Sequence, residues 1–150
     1  MPPPTVVERL DGPPADCLGA LVAESEKHGL RFIRRLAEEW ASGANRFDRP
    51  GEALFVGRVA GEVVGVCGLN VDPYADEPTV GRVRHLYVLV AHRRRGIGRQ
   101  LVTEVIETAR SRFDRLRLRT ENAGAAQFYE TLGFRRSVGV RDCTHIMELS

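Results

Sequence analysis

The residues from Val83 to Leu101 combine an apolar strand, a basic turn with two glycines and the beginning of a helix. Gly96 and Gly98 fall where the turn gives way to apolar residues at helical spacing. Backbone N–H groups in the first turn of a helix have no acceptor inside that helix, and the helix dipole adds positive potential there. Glycine lets a ligand approach these groups without a side chain in the way. The stretch therefore predicts a binding site for a phosphate group.

The spacing of this turn distinguishes three kinds of phosphate site. A P-loop requires Lys and then Ser or Thr after its second glycine, and neither follows here. A dinucleotide-binding loop requires a third small residue, and Leu101 stands at that position. The remaining pattern is R-x-x-G-x-G, made by Arg93, Gly96 and Gly98. The alternative is that the arginines at 93–95 form a solvated basic cluster and that the glycines only make a turn.

A second motif covers residues 121–134 and reads ENAGAAQFYETLGF. Asn122 is a favourable N-cap, Phe128 and Leu132 lie four residues apart on one helical face, and Gly133 suits a left-handed C-terminal cap. With both motifs in this order, the chain resembles the GNAT superfamily of N-acetyltransferases. The R-x-x-G-x-G turn is similar to the coenzyme A pyrophosphate loop of that family.

This resemblance implies that the chain transfers an acetyl group from acetyl-CoA to a primary amine of a small molecule or peptide, by direct attack in a ternary complex. Backbone N–H groups from Arg94 to Arg99 would hold the pyrophosphate, and the guanidinium groups of Arg93 and Arg94 would add charge-assisted contacts. Val88 and Val90 would offer strand backbone to the pantetheine arm. The cofactor-binding residues implied are Val88, Val90, Arg93, Arg94, Arg95, Gly96, Ile97, Gly98, Arg99, Asn122 and Tyr129.

The resemblance also implies catalytic roles for two of these residues. The N–H of Val88 would polarise the thioester carbonyl, and Tyr129 would protonate the departing thiolate. For Tyr129 the alternative is a tyrosine that only packs. Asn122 would contact the coenzyme arm or serve only as a helix cap.

The general base is the least defined part of this interpretation. An alkyl ammonium group has a pKa of about 10.4 and must lose a proton before it attacks. Many family members carry a glutamate four residues before the Leu-Tyr-Val triplet, and this chain has Arg82 there. His85 is a candidate because it alternates with Tyr87 on one strand face, although a lone strand histidine is more often structural. Asp72, Asp76 and Glu77 are further candidates, and each is otherwise a solvated loop carboxylate.

The acceptor would bind between the two N-terminal helices and the loops that follow them. Aromatic and acidic side chains together would suit a cationic amine, although the aromatic residues could equally belong to the core. The candidates for this lining are Phe32, Trp40, Asp72, Tyr74 and Glu77.

Length and composition limit the alternatives. A chain of 150 residues suits a single domain over residues 1–150, with 43% hydrophobic and 28% charged residues. A net charge of +2 gives no general reason to expect nucleic acid or membrane partners. Cys17, Cys67 and Cys143 are widely spaced and odd in number, so we expect neither a disulfide framework nor a metal site. Without an apolar leader or a long apolar run, we expect a cytoplasmic protein.

Hydrophobic periodicity predicts strands and helices in the order β, α, α, β, β, β, α, β, α, β, β. This order predicts an α/β fold, a GNAT-like mixed, mostly antiparallel twisted sheet of six to seven strands with helices on both faces. The ranges are Thr5 to Leu10, Ala15 to His28, Arg31 to Ala41, Ala53 to Val59, Val63 to Leu69, Val83 to Val90, Gly98 to Phe113, Arg115 to Arg119, Asn122 to Leu132, Arg135 to Val140 and Thr144 to Leu149.

The sequence also allows two other functions and one protein partner. A non-catalytic CoA-binding regulatory or structural module is the second function, favoured by Arg82 and opposed by Tyr129. Nucleic-acid binding would depend only on the arginine clusters, without aromatic residues between them. A homodimer through the last strands is the expected partner, because exposed sheet edges can pair.

Overall fold

The computed structural model describes residues 3–14 and 17–149. Its strands are β1 (Thr5–Arg9), β2 (Ala53–Val59), β3 (Glu62–Val71), β4 (Val80–Val88), β5 (Arg115–Leu118), β6 (Arg135–Arg136) and β7 (His145–Glu148). Its helices are α1 (Gly19–Lys27), α2 (Phe32–Ser42), α3 (Ile97–Ala109) and α4 (Ala123–Thr131). No helix in these described ranges is long and apolar enough to cross a membrane.

The strands form one seven-stranded sheet in the order β1-β2-β3-β4-β5-β7-β6. Every neighbouring pair is antiparallel except β4 and β5, which run parallel. Since α3 connects these two strands, the parallel pair is a strand–helix–strand unit. The predicted mixed, mostly antiparallel sheet is confirmed.

Helices cover both faces of this sheet. On one face, α3 buries Leu101, Val102 and Val105 against the central strands. On the other face, α1 and α2 bury Leu21 and Leu36 with a second apolar cluster. The strands between these faces are buried on both sides, which explains why β2 and β3 read as near-continuous apolar runs.

Each predicted element occurs, and its bounds differ from the expected ones by at most four residues. The strand predicted to reach Val90 ends at Val88, and Val90–His92 forms a 3₁₀ turn instead. The strand predicted to reach Val140 is only the two-residue β6, and Val138 is exposed. The helix predicted from Ala15 begins at Gly19, while Ala15 itself lies outside the described residues.

The feature that creates the site is the separation of β4 from β5. The two strands pair only at Val80, Gly81 and Arg82. Beyond Arg82, β4 continues for six more residues with no partner on that side, as far as Val88. The register of β4 with β3 also shifts between Val66 and Gly68, so a bulge lies in β4 at this point. The result is a sheet that opens towards the end of β4.

Candidate active site

A cleft of about 1190 Å³ occupies the opening between β4 and β5. Strand β4, the turn before α3 and one side of α4 form its walls. Gly98 lies where these walls meet, because a Cβ there would sit 3.6 Å from Phe128 and 3.9 Å from Val88. The two sequence motifs, far apart in the chain, therefore line one cleft.

The phosphate turn has the predicted helix start. Gly96 is the N-cap of α3 with φ +79°, and no side chain caps the helix. The first intrahelical bond is donated by Gln100 N–H to the Gly96 carbonyl, at 3.0 Å. The N–H groups of Ile97, Gly98 and Arg99 therefore have no acceptor within the helix. They are free to hold an anion at the positive end of the helix dipole.

The three arginines before this helix take different positions. Arg94 and Arg99 line the cleft near the turn, whereas Arg95 is exposed and does not line it. Arg93 was expected to point its guanidinium at the pyrophosphate. It lines the cleft, its Nε donates to the carbonyl of Val88 at 2.8 Å, and its guanidinium lies 5.2 Å from the centre of the Tyr87 ring. Arg93 thus anchors the turn to the end of β4.

Backbone direction at the end of β4 follows from strand alternation. Leu89 N–H donates to the Val64 carbonyl of β3 at 2.9 Å, so it points towards β3. Successive residues of an antiparallel strand alternate in direction, and the N–H and carbonyl of Val88 therefore point the opposite way, into the opening. The N–H of Val88 is thus directed into the opening, whereas its carbonyl already accepts from Arg93 Nε.

The expectation that Val90 offers strand backbone is wrong, because Val90 lies in the 3₁₀ turn. Its N–H donates to Glu24 Oε1 at 2.9 Å, and its carbonyl accepts from Arg93 N–H at 3.2 Å. Both backbone groups of Val90 are already used within the protein.

Glu24 on α1 is a contributor that sequence reasoning missed. Its Oε1 accepts from the Tyr87 hydroxyl at 2.7 Å as well as from Val90 N–H. The hydrogen bond from Tyr87 lowers the pKa of Glu24. Burial and the hydrogen bond to Glu24 raise the pKa of Tyr87 to about 12. One carboxylate thereby fixes the end of β4 beside the reactive position, and no local pattern signals a contact across more than sixty residues.

Tyr129 and Asn122 both line the cleft from the α4 side. Tyr129 packs edge-on against Phe128 and Phe134, with ring centres 5.2 and 5.6 Å apart. Burial raises the pKa of Tyr129, so its phenol is protonated throughout the neutral range. The side chain of Asn122 accepts from Ala125 N–H at 2.9 Å, which is the predicted N-cap.

His85 lies at the bulge of β4 with φ +61°. Its ring stacks on Phe32 at 6.4 Å and meets the edge of Phe47 at 6.1 Å. Both ring nitrogens are buried and have no hydrogen-bond partner among the described residues. Burial, helped by the guanidinium groups of Arg84 and Arg35, lowers the pKa of His85 to about 3. The imidazole is therefore neutral at pH 7.

We expect His85 to make the protein acid-sensitive. Because the pKa is depressed in the folded state, the unfolded chain binds the extra proton between about pH 6.5 and pH 3. Stability is therefore lost as the pH falls through that window. When the pH is lowered from 7 to 4.5, the free energy of unfolding should fall by about 2 kcal/mol less in a His85→Phe variant than in the wild type. Urea denaturation measures this fall. The control is His28→Phe, since His28 is exposed. An equal fall in unfolding free energy in all three proteins would contradict this prediction.

The position of the usual glutamate holds a buried cation. Arg82 forms an ion pair with buried Asp72 at 3.7 Å, and its guanidinium lies 4.8 Å from the centre of the Tyr74 ring. Of the residues expected to line an acceptor site, only Phe32 lines this cleft. Trp40 packs on Phe47 at a ring separation of 6.4 Å instead.

The described part of the chain has no set of side chains that could bind a metal ion. No group of three or more His, Cys, Asp or Glu residues there could hold a metal ion. Cys17, Cys67 and Cys143 form no disulfide, and burial raises the pKa of the Cys67 thiol to about 12.

An unpaired strand edge that leads to a helix start with free N–H groups defines a site for an extended ligand that ends in phosphate. In a mostly antiparallel sheet, this arrangement suits an extended coenzyme with a pyrophosphate group. The chain belongs to the acetyltransferase (GNAT) family, whose model matches residues 20–134.

Individual proteins agree with this assignment. N-alpha-acetyltransferase RimI of Mycobacterium tuberculosis is 36% identical over 88 residues, which are 56% of this chain and 52% of RimI. The chain spans about half the length of the curated relatives it matches, 40% and 52%.

Solved structures give the same fold. A protein of Exiguobacterium sp. 255-15, provisionally named an acetyltransferase, has a TM-score of 0.86 and 29% identity, covering 97% of this chain and 93% of its own. The Escherichia coli N-acetyltransferase YhbS, solved in complex with CoA, has a TM-score of 0.74 and 16% identity, covering 97% and 82%. The second likeness shows the fold alone.

Proposed function

We propose that this chain is an N-acetyltransferase that transfers the acetyl group of acetyl-CoA to a primary amine of a small molecule or peptide in a ternary complex. The observation that carries this proposal is the unpaired edge of β4, which leads from Val88 directly to the free N–H groups at the start of α3. An edge of this kind pairs with a pantetheine arm as it would with another strand. The complex of YhbS with CoA supports the same choice of coenzyme.

The residues of the chain divide the chemical work as follows. The N–H groups of Ile97, Gly98 and Arg99 hold the pyrophosphate, and Val88 N–H donates to the thioester carbonyl oxygen. The amine nitrogen forms a bond to the carbonyl carbon, and the carbon–sulfur bond breaks. Tyr129 gives its proton to the departing thiolate and is restored from solvent. One oxyanion donor such as Val88 N–H contributes about 3 kcal/mol. A role for Asn122 in contacting the coenzyme arm, beside its role as N-cap, belongs to the same proposal.

We expect His85 not to serve as the general base. A neutral imidazole with a pKa of about 3 provides little driving force for removing a proton from an ammonium group. The ascending limb of the pH profile of kcat/KM should therefore have the same midpoint in His85→Ala as in the wild type. Loss or displacement of that limb in the variant would assign the base to His85. We propose that the acceptor reacts from its neutral fraction and releases its proton to solvent.

The non-catalytic CoA-binding module is the rival function, and one experiment separates the two. Calorimetric titration with acetyl-CoA and desulfo-CoA measures binding, and thiol release against a panel of amines and peptides measures turnover. Binding with turnover supports the transferase. Binding without turnover on any amine would support the module, and no binding would overturn both.

We further propose a cytoplasmic protein with one acetyltransferase domain over residues 1–150. Three cysteines without a disulfide suit a reducing compartment. A homodimer through the edge strand β6 stays a prediction, which sedimentation velocity would test.

A further inference from the structure

The cleft is strongly basic at the end away from the phosphate turn. Its lining there includes Arg35 of α2, Arg82 and Arg84 of β4, and Arg119 at the end of β5. Among the described residues that line the whole cleft, none is Asp or Glu. These arginines disfavour the cationic acceptor that the sequence suggested, because they would repel its positive charge.

Two of these four arginines are neutralised by neighbours. Arg82 pairs with Asp72, and Arg119 pairs with Glu121 at 2.7 Å and with Asp142 at 3.0 Å. Arg35 and Arg84 form no ion pair and no side-chain hydrogen bond among the described residues.

Arg84 is the more informative of the two unpaired arginines because it is half-buried. A guanidinium group that loses water without gaining an anion is costly to the fold. Arg35 is exposed on α2, one helical turn from Phe32. These are cations available to a ligand.

Arg35 and Arg84 both affect His85. His85 lines the cleft with them, and the charges of Arg84 and Arg35 both disfavour its protonation. His85 packs on Phe32 of α2, so this point lies on the face of the sheet that α1 and α2 cover. Arg35 and Arg84 therefore both lie near His85 on the α2 side of the sheet, and Arg84 also lines a second cavity that contains Glu39 and Glu52.

Their position relative to the reacting atoms excludes the coenzyme phosphates as their partner. Arg84 precedes Val88 by four residues across the bulge, and the matching stretch of β3, Gly65 to Gly68, spans about 10 Å. The turn that holds the pyrophosphate follows Val88. With the thioester carbonyl at Val88, the phosphates lie on one side of the reaction centre and Arg84 lies on the other.

We propose that Arg35 and Arg84 bind an anionic group of the acceptor, so that the acceptor is an amine that also carries a carboxylate or a phosphate. This inference rests on the proposed acetyltransferase function. A guanidinium group binds either anion through two parallel hydrogen bonds. The nearby cations also favour the neutral form of the reacting amine, which suits a cleft without a carboxylate base.

The test compares acceptors with and without an anionic group, at saturating acetyl-CoA, by thiol release. The carboxylate pair is glycylglycine and glycylglycinamide, and the phosphonate pair is 2-aminoethylphosphonate and propylamine. We expect kcat/KM to be at least about tenfold higher for the anionic member of one pair, as one charged hydrogen bond predicts. The pair with the larger ratio identifies the anion. Arg35→Gln and Arg84→Gln should each reduce that ratio to about two, mainly through the KM of the acceptor, while Arg84→Lys keeps part of it.

The control is Arg31→Gln, since Arg31 is exposed near the same end of α2 and does not line the cleft. It should leave the ratio unchanged, and none of the variants should alter the Kd of acetyl-CoA. Equal kcat/KM within both pairs would overturn the inference and leave the acetyltransferase standing. An equal loss in Arg31→Gln would also overturn it, because the effect would then be one of overall charge. Acetyl-CoA binding without any turnover would overturn the proposed function itself.

Discussion

Tyr129→Phe should lower kcat by about a hundredfold, because the variant lacks the proton that we assign to the departing thiolate. The hydroxyl group has no hydrogen-bond partner among the described residues, and the ring is held by Phe128 and Phe134. Removal of one oxygen should therefore leave the fold and the KM of acetyl-CoA nearly unchanged. Steady-state thiol release at saturating acceptor measures the effect.

The control for this prediction is Tyr74→Phe, since Tyr74 does not line the cleft. The leaving thiolate also predicts a second readout: acyl donors with a more acidic thiol should lose less activity in the variant than acetyl-CoA does. If kcat stays within a factor of three of the wild type for acetyl-CoA, Tyr129 only packs.

Gly96→Val should weaken acetyl-CoA binding by about a hundredfold. Gly96 has φ +79°, a backbone conformation in which a β-branched residue is strongly strained. Relief of that strain must rotate the turn and misdirect the N–H groups of Ile97 and Gly98. Loss of one or two hydrogen bonds to a charged phosphate accounts for an effect of this size. Calorimetric titration gives the Kd directly.

Gly61→Val is the matched control for the backbone strain. Gly61 lies in the turn between β2 and β3 with φ +83°, and a Cβ at either glycine would meet no atom within 4 Å. Both variants should therefore lose similar thermal stability, and only Gly96→Val should lose coenzyme affinity. Equal Kd values in the two variants would show that the turn does not hold the coenzyme.

The sequence predicted those parts of the site that depend on neighbouring residues. The glycine turn, the start of α3 and the Asn122 cap each follow from residue types within a few positions, and the structure has all three. No local sequence pattern predicts the separation of β4 from β5. The pairing of the two strands ends at Arg82, and no property of Arg82 alone indicates that β5 diverges there.

The end of β4 was predicted incorrectly for a physical reason. The apolar run continues through Val90, yet the strand stops at Val88. Glu24 of α1 accepts from Val90 N–H and Arg93 anchors the following turn, so a contact distant in sequence ends the strand.

The acceptor side of the site could not be predicted because it is assembled from separate elements. Arg35 and Arg84 look like ordinary charged residues of a helix and a strand. Only the bulge at His85 and the packing of α2 on β4 bring them to one wall. The acidic residues favoured by the sequence are placed elsewhere, as the burial of Asp72 beside Arg82 shows.

The most direct test of the account is a two-dimensional amide NMR titration of the ¹⁵N-labelled protein with acetyl-CoA. We expect saturable shifts that are largest for the amides of Val88, Ile97, Gly98 and Arg99, with smaller shifts along α4. These amides are the ones directed into the opening or left without an acceptor at the start of α3. Saturable binding with the largest shifts elsewhere, or no shift at millimolar acetyl-CoA, would contradict the assignment of this cleft as the coenzyme site.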